Sequence, residues 1–198
     1  MNTTHYTDGT EILDGTGIGT SGMIYEYSKY YFNYGDNPEN AIKYGKLYTW
    51  AAAINGYVTN NDELLYGVRK GICPNGWHVP SDEEWLELEM YVDDSILTPD
   101  IWGYRGIDAG EKLKSTNNWQ DYSNTDMFGF CATPSGEKKY SFLDHSYYFT
   151  GLNTNSAFWT ASGYGGGGIA RDLISNSKQI IRSQVFSSQG YSVRCIKD

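Results

Sequence analysis

Gly71-Ile72-Cys73-Pro74-Asn75-Gly76-Trp77-His78-Val79-Pro80-Ser81-Asp82-Glu83-Glu84-Trp85 runs from a loop straight into a helix start. Ser81-x-x-Glu84 is a capping box: the serine oxygen accepts from an orphan backbone N–H, and Glu84 reaches back to the serine N–H. Pro80 fixes the direction from which the chain approaches. Trp85, Leu88 and Val92 then recur at i, i+3 and i+7, a stripe expected to bury against a sheet, while Asp82, Glu83, Glu87 and Glu89 are expected in water. His78 has carboxylates close behind it, but His5 and His145 are remote in sequence, so no metal-ligand spacing exists. It is read as a hydrogen-bonding core residue that ties a loop to the capped helix.

A second signature, Gly190-Tyr191-Ser192-Val193-Arg194-Cys195, closes the chain. With Gly45-Lys46-Leu47-Tyr48-Thr49-Trp50-Ala51-Ala52-Ala53, Gly129-Phe130 and Phe158-Trp159, these stretches resemble the Fibrobacter succinogenes major paralogous domain of Bacteroidetes and their phages, from Tyr6 to Asp198. The resemblance implies one α+β domain over residues 1–198 of C-type lectin-like fold, two helices packed on small antiparallel sheets with long irregular loops. On this resemblance the family's N-terminal strand region is expected to be shortened. That scaffold also serves formylglycine-generating enzymes and retroelement-diversified receptor-binding proteins. Cys73 and Cys195 fall in the two signatures, and the resemblance implies a bridge between them with Cys131 as a buried free thiol. Three reduced buried thiols are the alternative.

The 198 residues suffice for one sizeable core, and no Pro- or Ser-rich linker divides them. Fifteen basic against 24 acidic residues, a formal charge of -9, argue against a nucleic-acid groove. No run approaches the ~18 apolar residues of a membrane span, so no membrane insertion is expected. Met1-Asn2-Thr3-Thr4-His5 lacks the pattern of a signal peptide, which suits a shortened chain, a mature fragment or a phage protein.

Local patterning predicts a strand or extended loop over 23–34, a turn at Asp36-Asn37-Pro38-Glu39-Asn40, a first helix over Leu47–Ile54 and a loop at Asn60-Asn61-Asp62. From Thr98 to Ser156 turn residues dominate, with Trp102, Leu113, Trp119, Phe128, Phe130 and Phe142 as docking anchors. Strands follow at 157–161, 169–174, 179–186 and 191–196. Trp50, Trp77, Trp85, Leu88, Trp119, Phe130, Trp159 and Val193 form the expected core.

No nucleophile stands beside a base, and no acid pair sits where two pKa values would separate, so no enzyme is expected. No cofactor is expected either; the remaining alternative is a structural calcium held by Asn117, Asn118, Asp121, Asn124 and Asp126. Gly163-Tyr164-Gly165-Gly166-Gly167-Gly168 lacks the Lys-Ser/Thr of a phosphate loop and reads as a hairpin tip. Its counterpart in diversified relatives touches the partner. Eighteen tyrosines against 7 phenylalanines favour rings that meet a partner while their hydroxyls meet water. The expected function is a recognition or adhesion module outside the cell or on a virion, binding protein or glycan through one patch of Tyr164, Asn176, Lys178, Gln184 and Phe186. The alternatives are a formylglycine-generating-like or hydrolytic enzyme, and a structural subunit of a surface appendage or phage tail. An oligomer is left open.

Overall fold

The computed structural model describes residues 1–18, 24–57, 68–96, 101–120 and 124–198. The Asn60-Asn61-Asp62 loop, Thr98 and Asp121 lie outside them. The chain is a small mixed α/β protein. Its centre is a six-stranded sheet in the order β5-β10-β9-β8-β6-β7, built from β5 (Gly103–Arg105), β6 (Ser135–Ser141), β7 (Ser146–Leu152), β8 (Asn155–Tyr164), β9 (Gly167–Ile174) and β10 (Ile180–Phe186). Its pairings are antiparallel except where β6 meets β8 at Gly136 and Ser156. Two smaller sheets flank it: β1 (Leu13–Asp14), β2 (Tyr30–Phe32) and β3 (Leu47–Tyr48), and β4 (Trp77–His78) with β11 (Ile196–Lys197).

Four α-helices rather than two lie among the described residues: α1 (Pro38–Tyr44), α2 (Trp50–Ile54), α3 (Asp82–Val92) and α4 (Ala109–Leu113). The turn predicted at 36–40 opens α1, because Asn37 caps the Glu39 N–H at 3.0 Å and Pro38 sits where a missing donor costs nothing. The helix predicted over 47–54 is shorter. Leu47 and Tyr48 pair with Phe32 and Tyr31 instead, and Thr49 caps α2 through the Ala52 N–H. The capping box of α3 forms as read. The 101–120 and 124–156 stretches hold β5, α4, β6 and β7, more regular structure than their turn residues suggested. After Gly190 the chain is held by isolated bridges from Tyr191 to Tyr48 and from Ser192 to Phe158, with regular pairing only at β11.

Alternation along β8 gives the sheet two covered faces. Ala157, Trp159 and Ala161 pack with Trp50 and Ala170 on one, and Phe158 packs with Trp85, Leu173 and Ile180 on the other. The Trp50 Nε1–H donates to Thr160 O at 2.9 Å and the Trp159 Nε1–H to Tyr48 O at 2.7 Å, so the two largest fully buried side chains both have their donors paired. The Cys73–Cys195 bridge is present, Cα atoms 5.8 Å apart. Cys131 is not buried: it sits exposed in a turn at φ +55°, its N–H held by Asp126 Oδ1 at 2.7 Å.

Trp50, Trp85, Trp119, Trp159 and Val193 are buried, with Leu88 and Phe130 packed against them. Trp77 is 40% exposed, because strand alternation turns its neighbour His78 inward and the tryptophan out. Trp102, Phe128 and Phe142 are exposed too: Trp102 covers the buried Arg182, and Phe128 and Phe142 lie against the exposed rings of Tyr91 and Phe186. Tyrosine also fills core positions, contrary to its reading as a surface residue. Tyr6, Tyr48 and Tyr191 are buried with their hydroxyls donated to Ala52 O, Thr3 O and Gln189 Oε1.

Two carboxylates expected in water lie beneath α3. Glu89 is fully buried between Arg171 and Arg105, and Asp82 binds Arg171 at 2.6 Å and Arg182 at 2.5 Å. Arg171 spans both acids. Arg171→Met should therefore cost about 3–5 kcal/mol in denaturant unfolding, since it strands buried charge. Arg171→Lys should restore only part of this, because an ammonium cannot fork between two carboxylates.

Candidate functional site

The site begins with a turn. The Tyr25 N–H donates to Ser28 Oγ and the Ser28 N–H to Tyr25 O, both at 3.0 Å, closing Tyr25-Glu26-Tyr27-Ser28 upon itself. This throws Tyr25 and Tyr27 to one side, rings parallel with centroids 5.3 Å apart and both half exposed. The Tyr147 hydroxyl donates to Ile24 O at 3.2 Å and moors the turn to β7; burial pushes that phenol's pKa up.

The β6–β7 hairpin supplies a second aromatic group. Tyr140 stands opposite Tyr147 across the ladder, and Phe142 shares the face of Tyr140 by the two-residue period. Centroids are 5.1 Å apart for Tyr140–Tyr147 and for Tyr140–Phe142, and 5.5 Å for Phe142–Phe186, which brings in the end of β10. Together with Gly165, Gly166 and Gly167 and the stretch from Gln184 to Ser188, these rings line a groove of about 660 Å³. Among the described residues its one charged lining residue is Glu26. The glycines are the tip of the β8–β9 hairpin as expected, with Gly165 and Gly166 at φ +56° and +76°, backbone that a two-residue turn requires.

Of the predicted patch, Tyr164, Gln184 and Phe186 come together, exposed at this end of the sheet, with the Gln184 side-chain N–H donating to Tyr164 O at 2.7 Å. Asn176 and Lys178 do not join them. They occupy the turn at the other end of β9, whose eight residues span roughly 23 Å. There Asn176 borders a shallow cleft with Gln120 and Asn155, and Lys178 pairs with Glu111 at 2.8 Å. One expected patch is thus two, because turns at either end of a strand pair cannot share a surface. Tyr25, Tyr27, Tyr140 and Tyr147 were missed as lining residues; the tyrosine excess was their only signal.

His78 does what its sequence context implied. It reaches Glu84 of the capping box at 2.8 Å and Asp198 at 2.6 Å, so the loop, the helix start and the chain end share one imidazole. Burial is the largest single effect and lowers its pKa, but hydrogen bonds donated to these two carboxylates, together with their charges, outweigh it and raise the value. Among the described residues no cluster of three or more His, Cys, Asp and Glu has the arrangement of a metal site. Asp126 is engaged by the Cys131 N–H, and Asn124 is buried.

One acid pair escaped the sequence. Asp172 on β9 lies beside Glu137 on β6, and desolvation, with that neighbouring charge, pushes its pKa up to about 6 against the pull of the Ser183 hydroxyl at 2.6 Å. Glu137 in turn accepts from Asn155 Nδ2 at 3.1 Å and pairs with Lys139 at 2.9 Å.

Residues 1–197 match the Fibrobacter succinogenes major domain, and the chain belongs to that family. No curated protein and no solved structure is a significant match to it.

The Asp172 shift has a definite sign. The folded chain holds this proton to higher pH than the unfolded one, so the contribution to stability is complete below the ordinary value of 3.8, is lost as pH rises through about 6, and is absent above. Asp172→Asn, which can still accept from Ser183, should gain on the parent protein across that window, by about 3 kcal/mol at most at neutral pH. Urea midpoints of the two proteins measured against pH check this; parallel curves would show that Asp172 titrates normally.

Proposed function

We propose that this domain is a recognition and adhesion module of C-type lectin-like type, acting outside the cell or on a virion, that holds a protein or glycan ligand in the aromatic groove and performs no chemistry on it. The observation that carries this reading is the convergence of six rings, Tyr25, Tyr27, Tyr140, Phe142, Tyr147 and Phe186, on one groove. Rings left at the surface around a concave site are the usual currency of interfaces, since each offers much contact area for the loss of two side-chain rotations.

The C-type lectin-like assignment draws support from the Cys73–Cys195 bridge, from helices on both faces of a central antiparallel sheet, and from chain ends brought together. The Met1 ammonium lies 3.2 Å from Val193 O. Retroelement diversification would act at the β8–β9 tip and the end of β10, where Tyr164, Gln184 and Phe186 are exposed. The copper-dependent enzyme alternative needs two thiols, and the bridge occupies both. A hydrolytic alternative would rest on Asp172 and Glu137, whose oxygens already take up Ser183, Asn155 and Lys139.

Alanine at Tyr25, Tyr27 and Phe186 together should leave folding within about 0.5 kcal/mol per site, as surface substitutions usually do, and should abolish binding in a cell-surface or glycan-array screen. Alanine at Asn176 and Lys178 should leave binding intact. The reverse pattern would move the site to the other end of the sheet.

A further inference from the structure

We infer that the groove's ligand is a neutral oligosaccharide, gripped by ring stacking without calcium. This rests on the recognition reading above and names the class of ligand that the same site takes. A pyranose presents axial C–H groups on its faces and hydroxyls around its rim. The groove offers the complement: aromatic faces, whose negative quadrupole attracts polarised C–H groups, beside polar groups that pair with hydroxyls. Tyr25 and Tyr27 are fixed as a parallel pair by the turn closed through Ser28, so a platform exists before any ligand arrives. Phe142 and Phe186 meet edge to face at 5.5 Å and add two further rings to the groove.

The charge of the groove narrows the class. Among the described residues Glu26 is the single charged one lining it, with no Lys or Arg, and the chain as a whole carries -9. Sialylated, sulfated or uronic-acid chains would meet repulsion with no cation to offset it. A carboxylate is, however, the strongest acceptor for sugar hydroxyls, and Ser188 and Gln184 line the same groove. At about 660 Å³ the space is within the range of small-ligand sites and has room for more than one sugar ring. The glycine tip leaves backbone rather than side chains at the lip, so a long chain can pass across it.

The test titrates the whole chain with cellohexaose, xylohexaose, mannohexaose and chitohexaose, with sialyllactose and oligogalacturonate as acidic counterparts, by saturation-transfer NMR and calorimetry. A random-peptide phage library is panned in parallel. At least one neutral chain should bind saturably, with saturation strongest on its ring C–H protons and no change on adding EDTA. Tyr27→Ala should weaken that binding by about tenfold or more, and Tyr27→Phe should keep it within about twofold, because the stacking face survives loss of the hydroxyl. Glu26→Gln should narrow the margin between neutral and acidic chains. The inference falls if no neutral chain saturates, if an acidic chain binds more tightly, if EDTA abolishes binding, or if Tyr27→Ala binds as the parent does. Peptides that bind the parent and are lost in Tyr27→Ala, with no sugar bound, would overturn the glycan assignment and leave the recognition site standing. Failure of sugars and peptides alike would count against both.

Discussion

Arg171 carries its guanidinium from β9 into the dry layer under α3, where it binds Asp82 at the helix start and Glu89 two turns on. Asp82, Trp85, Glu89 and Val92 follow one another at i, i+3, i+7 and i+10, so the buried stripe of this helix alternates charge with hydrocarbon. Such a face cannot slide or rotate. Any shift would leave a carboxylate unpaired in a place water does not reach, at a cost of several kcal/mol. Arg182 on β10 and Arg105 on β5 complete the set, with Trp102 stacked 3.9 Å from the Arg182 guanidinium as a lid. A buried network of this kind adds little net stability over a hydrocarbon core; what it fixes is register. Here it locks one helix to three strands, and β9 and β10 run from it directly to the groove.

This network explains where sequence patterning was reliable and where it failed. The start of α3 was legible because a capping box is satisfied within four residues. The fate of Glu89 was not: it falls on the face of Trp85 and Val92, as Glu87 does not, but the cation that lets a carboxylate be buried there lies 82 positions away. The β6–β7 hairpin was hidden for a related reason. Ser135-Gly136-Glu137-Lys138-Lys139-Tyr140-Ser141 has no apolar alternation, yet Glu137 and Lys138 are buried. Lys138 achieves this by lying over the rings of Phe32 and Phe149, with its ammonium 4.6 and 4.3 Å from their centroids. Strands that bury charged side chains through distant partners look like loops when read alone.

The candidate site was half legible. Its hairpin tip follows from the glycine run, and Gln184 and Phe186 follow from the strand beside it. The tyrosine walls do not, because Tyr25 and Tyr27 alternate as a strand would, and only the hydrogen bonds with Ser28 reveal a turn. Asn176 and Lys178 were grouped with the tip by the resemblance to diversified relatives and by their polar composition. Neither reports that the strand between them runs the length of the sheet.

The groove and the core are mechanically continuous, which bears on how the site could change its ligand without losing the fold. The Trp50 N–H donates to Ser187 O at 2.9 Å, and the Ser187 hydroxyl to Gly166 O at 2.6 Å, so the floor is hung from the first residue of α2 through two bonds. Gly168 admits the Trp50 and Trp159 rings so closely that a Cβ there would meet each at 2.7 Å. The tip is held from below by backbone bonds and by these rings, while Tyr164, Gln184 and Phe186 point away from that support. Side chains at those three positions can be exchanged at little cost to packing, since what positions them is main chain. Rigid backing also limits the entropy lost when a ligand settles on the rings, so modest contacts can yield useful affinity. A surface that is free to vary and a floor that is not are the two properties a recognition site on a stable scaffold requires, and in this chain Trp50 separates them.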